Sequence, residues 1–146
     1  MSPELPNDHL RKWMTFLEGY ADNWDECFTA EFGDKFFTQE YWYLFVNVTR
    51  ACWDMKPLHL SAAKRQIRGL ANCDDQTKTK RIQDAQKAGL IDTITYQECR
   101  KRFPTFVEKD KRKTFVIPTP ALEDILRKHF STTLKDVITF VKKLHP

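Results

Sequence analysis

The sequence predicts a mainly α-helical α+β fold with one small β-hairpin. Through most of the chain, apolar residues recur at intervals of three and four, as on one face of a helix. Gly89 follows the best-defined of these segments and provides a helix stop. Alternating β-branched and polar residues are confined to short stretches of residues 92–117. With 146 residues and 41% hydrophobic content, the chain can form one domain around a core.

The amino-terminal third predicts two helices joined by an acidic connector. Asp8 is a suitable cap for the first helix, and residues 22–34 form a charged connector that ends near Gly33. Thr38 begins a second helix that runs to about Met55, and apolar residues nearly encircle it, so we expect it to be central. The apolar stripe of the first helix comprises Leu10, Trp13, Met14, Leu17, Tyr20 and Ala21.

A helix-turn-helix is predicted over residues 61–89. Ser61 is the expected cap of a short helix to residue 71, and residues 72–75 form the turn. The short helix turns Ala63, Ile67 and Leu70 inward and Lys64, Arg65 and Arg68 outward. In the second helix, Lys78, Ile82, Ala85 and Gly89 share the inner stripe; Gln76, Lys80, Gln83 and Lys87 face outward, with Thr77 and Arg81 on the flank.

The remaining elements are a hairpin and two helices. Residues 92–96 are expected to be extended, whereas residues 97–102 fit either a helix or a continued strand. Residues 105–108 and 113–117 are predicted as paired strands joined by a charged turn. Thr119 caps the next helix, with Pro120 at its first position, and Ser131 or Thr132 begins a last one. The last helix has a strong apolar face: Leu134, Val137, Ile138, Val141 and Leu144.

Charge is distributed unequally along the chain. Residues 1–60 contain five basic and ten acidic residues, whereas residues 61–146 contain nineteen and ten. Basic residues concentrate in residues 61–81, with six basic against two acidic, and in residues 100–113, with seven against two. Such runs are often only solvated faces, but these two coincide with the helix-turn-helix and the hairpin. Their coincidence favours contact with nucleic-acid phosphates.

The region from about residue 58 to 126 resembles the winged helix-turn-helix of the MarR (multiple antibiotic resistance regulator) family. The second helix matches the family pattern at Thr77, Thr79, Lys80, Ile82, Ala85, Gly89, Leu90 and Ile91. The hairpin matches the family's wing at Asp110, Arg112, Phe115, Ile117 and Thr119. The chain departs from the family in three residue types: Lys80 is a lysine where the family usually has arginine, Lys78 replaces an apolar residue, and Pro118 replaces a leucine. It also carries about ten extra residues within 92–107.

The resemblance implies a homodimeric regulator of transcription that binds double-stranded DNA. Residues 1–7 lack the layout of a secretory signal, so we expect the protein to be cytoplasmic. Residues 1–146 would form a single winged-helix domain, with residues 8–55 and 120–146 as helical dimerisation and core region and residues 58–118 as helix-turn-helix plus wing. The second helix would enter the major groove, while the wing would contact the flanking backbone or minor groove. The expected DNA-binding residues are Lys64, Arg65, Gln76, Thr77, Lys78, Thr79, Lys80, Arg81, Lys111, Arg112 and Lys113.

Several other interpretations stay open. The same fold could be a protein-interaction module that does not bind an operator, for which Lys78 and the enlarged wing are the support, or an RNA-binding protein or small nucleic-acid enzyme that uses the basic face. A small-molecule effector could bind among Trp13, Tyr41, Trp42, Phe45 and Trp53, although residues so spaced usually build a core.

No residue pattern predicts catalysis or a cofactor. The four cysteines lack the spacing of a metal site, so we expect no metal and ordinary reduced thiols; a thiol sensor, as in some MarR-type regulators, is the alternative. The histidines are isolated, and no nucleophile and base occur at an informative spacing. No apolar run approaches the ~20 residues that span a membrane, so no membrane association is expected.

Overall fold

The computed structural model describes residues 5–36, 38–67 and 74–144, with the backbone alone at residues 29–31 and 34. Within these ranges the fold is mainly helical α+β, as predicted. The elements are α1 (Asn7–Phe32), α2 (Gln39–Trp53), β1 (Leu58–His59), α3 (Leu60–Arg65), α4 (Asp75–Lys87), β2 (Ile91–Thr95), α5 (Tyr96–Arg102), β3 (Thr114–Pro118) and α6 (Pro120–Leu144). They form two compact units, one from the chain up to residue 34 and from residue 125 onward, the other from residues 35–124.

The sheet of the second unit is antiparallel, with β3 in the middle. Its strand order is β1-β3-β2, and Val116 of β3 pairs with Leu58 on one side and Thr93 on the other. The strand before the two helices α3 and α4 and the strand after them therefore bind the same central strand. Phe115, Val116 and Ile117 are buried.

Helix α2 is the central helix of this unit, as predicted. The Thr38 hydroxyl accepts a hydrogen bond from the backbone N–H of Tyr41, which caps the amino end. The helix ends after Trp53, before Pro57, and it contacts α3, β1 and β3. Its buried residues lie on several sides: Glu40, Tyr41, Leu44, Phe45, Val48, Thr49 and Cys52.

The boundaries of α4 agree with the sequence. Asp74 caps its amino end by accepting a hydrogen bond of 2.7 Å from the Thr77 N–H. After the helix, Gly89 has a φ of 78°, which glycine adopts without a steric penalty, and Leu90 then returns to the core. The Thr119 hydroxyl donates to the Gly89 carbonyl at 2.6 Å and accepts from the Leu122 N–H at 3.3 Å. One threonine thus caps α6, as predicted, and holds the end of α4.

The predicted hairpin of residues 105–108 with 113–117 is wrong. β3 covers Thr114–Pro118, but its partner is β2, and residues 105–108 form no strand. β3 has two edges, and β1 and β2 occupy both of them. Residues 97–102, left open between helix and strand, belong to α5, which starts one residue earlier, at Tyr96, although that residue was predicted as extended. Thr95 and Glu98 begin this helix with a reciprocal capping box.

The predicted cap of α3 is also wrong, because His59 and not Ser61 caps this helix. The His59 Nδ1 accepts a hydrogen bond of 3.2 Å from the Ala62 N–H, while Ser61 lies inside the helix. Ala63 and Ile67 are buried, as expected. The predictions for Arg68, Leu70 and the turn residues Asn72 and Cys73 lie outside the described residues.

In the first unit, two long helices contact each other through aromatic rings. The Phe140 ring of α6 lies 5.5 Å from that of Trp13 and 5.4 Å from that of Phe16 on α1. The acidic stretch predicted as a connector is instead part of α1, which continues to Phe32 and buries Trp24 and Phe28 at helical spacing. Asp22 and Glu26 are therefore exposed on a helix that still has a core face.

The predicted start of a new helix at Ser131 or Thr132 is wrong as well, because α6 continues without interruption. The neighbouring Thr133 hydroxyl donates back to the His129 carbonyl at 2.9 Å. A hydroxyl satisfied in this way does not need to cap a helix.

His129 is a fully buried polar side chain of this unit. Its Nδ1 lies 2.9 Å from the Asn23 side-chain amide, and the rings of Tyr20, Trp24 and Phe130 surround the imidazole at 4.7 to 5.0 Å. Burial lowers the pKa of His129 to about 4, so the imidazole is neutral at pH 7.

This lowered pKa makes the free energy of unfolding depend on pH. Because the unfolded chain, with a histidine pKa near 6.5, binds the proton more readily than the folded chain, stability is full above about pH 6.5 and falls as the pH drops toward 4. Between pH 7 and 5 we expect a loss of up to about 2 kcal/mol from His129. Urea unfolding at both pH values measures it, with His129→Gln as the control. Equal pH dependence in parent and variant would show that His129 does not cause the loss.

Candidate nucleic-acid interface

The outer surface of α4 carries a line of four polar side chains. Gln76, Lys80, Gln83 and Lys87 follow one another at intervals of four, three and four, and all four are exposed, as predicted. At 1.5 Å per residue, the line is about 17 Å long, comparable with about five base-pair steps of 3.4 Å. Glutamine offers both a donor and an acceptor to adenine, whereas lysine donates to guanine or phosphate.

The opposite face of α4 holds the helix on its unit. Ile82 and Ala85 are buried, and Lys78, on the same stripe, is half-buried. Asp84 forms an ion pair with Lys35, with 3.3 Å between the Lys35 Nζ and the Asp84 Oδ2. These contacts fix which face of the helix is turned outward.

Acidic groups lie at the amino end of α4. Asp74 is the cap, and hydrogen bonds from Thr77 hold the pKa of its carboxyl below the ordinary value. The Asp75 carboxylate lies 3.8 Å from the Lys64 ammonium, while the Thr79 hydroxyl donates to the Asp75 carbonyl. Lys64, Thr77 and Thr79, all predicted DNA contacts, therefore interact locally, while Arg65 is exposed at the end of α3.

Arg81, another predicted contact, has a structural partner that the sequence analysis did not identify. Its Nε lies 3.1 Å from the Oε1 of Glu40, which is only 6% exposed, and its guanidinium lies over the Tyr41 ring at 5.9 Å. The ion pair joins α4 to the central helix α2. The signal was present in the sequence, since Glu40 is an acid beside a run of bulky apolar residues.

The charged turn before β3 contains two internal ion pairs. Arg112 binds Asp110, with 3.1 Å between Nε and Oδ1, and this hydrogen bond lowers the pKa of the Asp110 carboxyl. Lys113 Nζ lies 3.5 Å from Glu108 Oε1. The Arg112 side chain is still 92% exposed. Lys111 is exposed too, so the turn presents cations although its net charge is partly balanced.

The aromatic residues considered for an effector site differ in exposure. Tyr41 and Phe45 are buried and stacked on each other, while Trp53 is 48% exposed. In the first unit, α1 and α6 do enclose an open groove of about 670 Å³, which Phe16, Phe140 and charged residues line. None of the five lies along that groove.

The cysteines that the structure describes are poor candidates for a thiol sensor. Burial raises the pKa of Cys52 to about 12 and also raises the pKa of Cys27 and of Cys99. A protonated thiol is a weak nucleophile. Residues 5–36, 38–67 and 74–144 contain no group of three or more side chains arranged to hold a metal ion. Nor is any helix in these ranges apolar enough over a sufficient length to span a bilayer.

We expect Arg81 to contribute mainly to stability. Arg81→Gln leaves the buried Glu40 carboxylate without its cation and should lower the free energy of unfolding by roughly 3 kcal/mol. The double variant Glu40→Gln/Arg81→Gln removes both charges and should be less destabilised than the single variant. Urea unfolding at pH 7 measures both. A change within about 0.5 kcal/mol for Arg81→Gln, as at an ordinary surface position, would contradict this role.

No protein-family model, curated protein or solved structure matches this chain. The function proposed below therefore rests on the positions, charges and contacts of the described residues.

Proposed function

We propose that the protein is a dimeric regulator of transcription that binds double-stranded DNA in a sequence-specific manner, through a winged helix-turn-helix similar to that of the MarR family. The observation that carries the proposal is the exposed line Gln76, Lys80, Gln83 and Lys87 on α4. Described acidic side chains do not interrupt this line, because Asp75 and Asp84 lie on other sides of the helix. It combines base-reading amides with phosphate-binding cations.

The arrangement of elements supports the winged-helix part of the proposal. Two short helices, α3 and α4, lie between β1 and β2, and both strands pair with β3. The antiparallel β2–β3 pair takes the place of the wing, with α5 and the charged turn in its connection. In such a protein, α4 would be the recognition helix and the turn near Arg112 would contact the flanking backbone.

Two exposed apolar stripes support a dimer. On α1, Leu10, Trp13, Met14 and Leu17 follow helical spacing, and Met14 is 67% exposed. On α6, Leu134, Ile138 and Val141 do the same, and Leu134 is 62% exposed. Exposed apolar patches of this kind mark interaction sites in soluble proteins. A second copy of the chain would cover them.

Charge supports the same partner for these stripes. α1 contains two basic and six acidic residues, whereas residues 125–144 contain five basic and one acidic. Because the two helices carry opposite net charge, α1 of one protomer attracts α6 of the other. A twofold dimer uses that contact twice.

One observation favours a second candidate function, a protein-interaction module on the same fold. Asp74 and Asp75 lie at the amino end of α4, where a recognition helix usually comes closest to DNA. Carboxylates there repel phosphates and attract a basic protein segment. Binding of mixed-sequence duplex and of RNA, compared in one competition assay, separates the DNA-binding, RNA-binding and protein-binding alternatives.

Base reading by α4 is tested with single alanine variants. Using a duplex selected from a random pool, we expect Lys80→Ala and Gln83→Ala each to lose about 1 to 3 kcal/mol of binding free energy and to accept substitutions at one base position. Fluorescence anisotropy and repeated selection measure affinity and preference. Lys56→Ala removes an exposed cation from the end of α2 and is the matched control. If Lys80→Ala and Gln83→Ala both keep the parent's affinity and preference, as the control does, α4 does not read DNA.

Dimerisation is tested by placing a charge in each exposed stripe. We expect the parent to be a dimer at micromolar concentration, and Met14→Asp and Ile138→Asp to be monomers, because each variant would bury an unpaired carboxylate in the interface. Multi-angle light scattering measures the mass. Since both positions are exposed in the protomer, the variants should stay folded by circular dichroism. A monomeric parent would contradict the dimer.

A further inference from the structure

In the basic segment of residues 100–113, some cations bind partners inside the segment, whereas others form no ion pair within the described residues. It contains seven basic residues and two acidic ones. Both acids, Glu108 and Asp110, pair with Lys113 and Arg112. Arg100 is also engaged, because its Nη1 donates to the Pro104 carbonyl at 2.7 Å and to the Phe106 carbonyl. Four cations remain that form no ion pair within the described residues: Lys101, Arg102, Lys109 and Lys111.

Lys101 and Arg102 differ from Lys109 and Lys111 because they belong to a helix that is anchored to the core. They are the last two residues of α5, both exposed, and the next residue, Phe103, is buried. Phe106 packs edge-on against the buried Phe115 of the central strand, with 5.4 Å between ring centroids. Arg100 also binds the carbonyls of Pro104 and Phe106. The chain is therefore anchored on both sides of Lys101 and Arg102, at buried Cys99 before them and at residues 103–106 after them.

We propose that Lys101 and Arg102 form a phosphate-binding site for the backbone of duplex DNA, in addition to the recognition helix and the charged turn. The inference rests on the proposed function and adds two residues of the basic segment that were not among the expected DNA-binding residues. Two adjacent, exposed and anchored cations suit phosphate oxygens, and neither has to leave an internal carboxylate to bind. Lysine and arginine at a helix carboxyl end also complement the helix dipole, which helps to stabilise α5.

The contribution of each cation is read from the salt dependence of binding. Every phosphate contact adds about 0.9 to the slope of log affinity against log salt concentration. We expect Lys101→Gln/Arg102→Gln to lower that slope by about 2 for each protomer that contacts the duplex. The expected weakening at low salt is the same for related sequences, since phosphates carry no sequence information.

The experiment measures duplex binding by fluorescence anisotropy from low to high potassium chloride for the parent, for Lys101→Gln/Arg102→Gln and for Arg50→Gln/Lys56→Gln. The last variant removes one exposed arginine and one exposed lysine outside the proposed DNA and dimer surfaces, and it controls for net charge. Circular dichroism and thermal unfolding verify that each variant is folded. A lower slope in the first variant alone supports the site.

Three results would overturn the phosphate site, and they are distinguishable. If the parent binds duplex and the Lys101→Gln/Arg102→Gln variant keeps the parent's slope and affinity, the phosphate site is overturned while the proposed function stands. Binding of an acidic peptide by the parent but not by this variant would then assign Lys101 and Arg102 to a protein partner. If the parent binds no duplex at all, the proposed function and the phosphate site are both overturned. An equal loss of slope in both variants assigns the effect to net charge and also overturns the site.

Discussion

The position of the candidate interface depends on the double pairing of strand β3. β1 leads into α3 and β2 leaves α4, and each is hydrogen-bonded to one edge of β3. Both ends of the segment that contains α3 and α4 are therefore attached to the same strand. Thr119, the residue after β3, adds hydrogen bonds to the carbonyls of Gly89 and Leu90. α4 is thus held at its carboxyl end by the same strand that organises the sheet.

The ion pair between buried Glu40 and half-buried Arg81 adds a second constraint, which determines the rotation of α4. An ion pair on the inner flank, together with Ile82 and Ala85, turns the opposite side of the helix to solvent. That side carries two glutamines and two lysines. Arg81, which was predicted to contact DNA, thus supports the fold. The outward direction of the line on α4 depends on its ion pair with Glu40. Burying an ion pair brings little stability but strongly disfavours arrangements that separate the charges.

Much of this architecture could be predicted from local signals. Thr38, Gly89 and Thr119 mark helix ends because capping and left-handed turns depend on one or two residues. Two of the errors arise from packing and pairing that a local pattern does not show. The strand expected at residues 105–108 finds both edges of β3 occupied, and Arg100 satisfies two carbonyls nearby. α1 extends through its acidic stretch because Trp24 and Phe28 continue a buried face. The periodicity of apolar residues does not reveal which carboxylate forms an ion pair with Arg81.

The central claim is that the outer line of α4 meets duplex DNA. Its most direct test is an amide chemical-shift titration of the isotope-labelled full chain with a mixed-sequence duplex, because it reports contact residue by residue and requires no substitution. The account predicts that the largest shifts fall on residues 76–87, with further shifts at Lys101 and Arg102, and that they diminish as salt is added. Shifts absent from α4, or confined to α1 and α6, would contradict it.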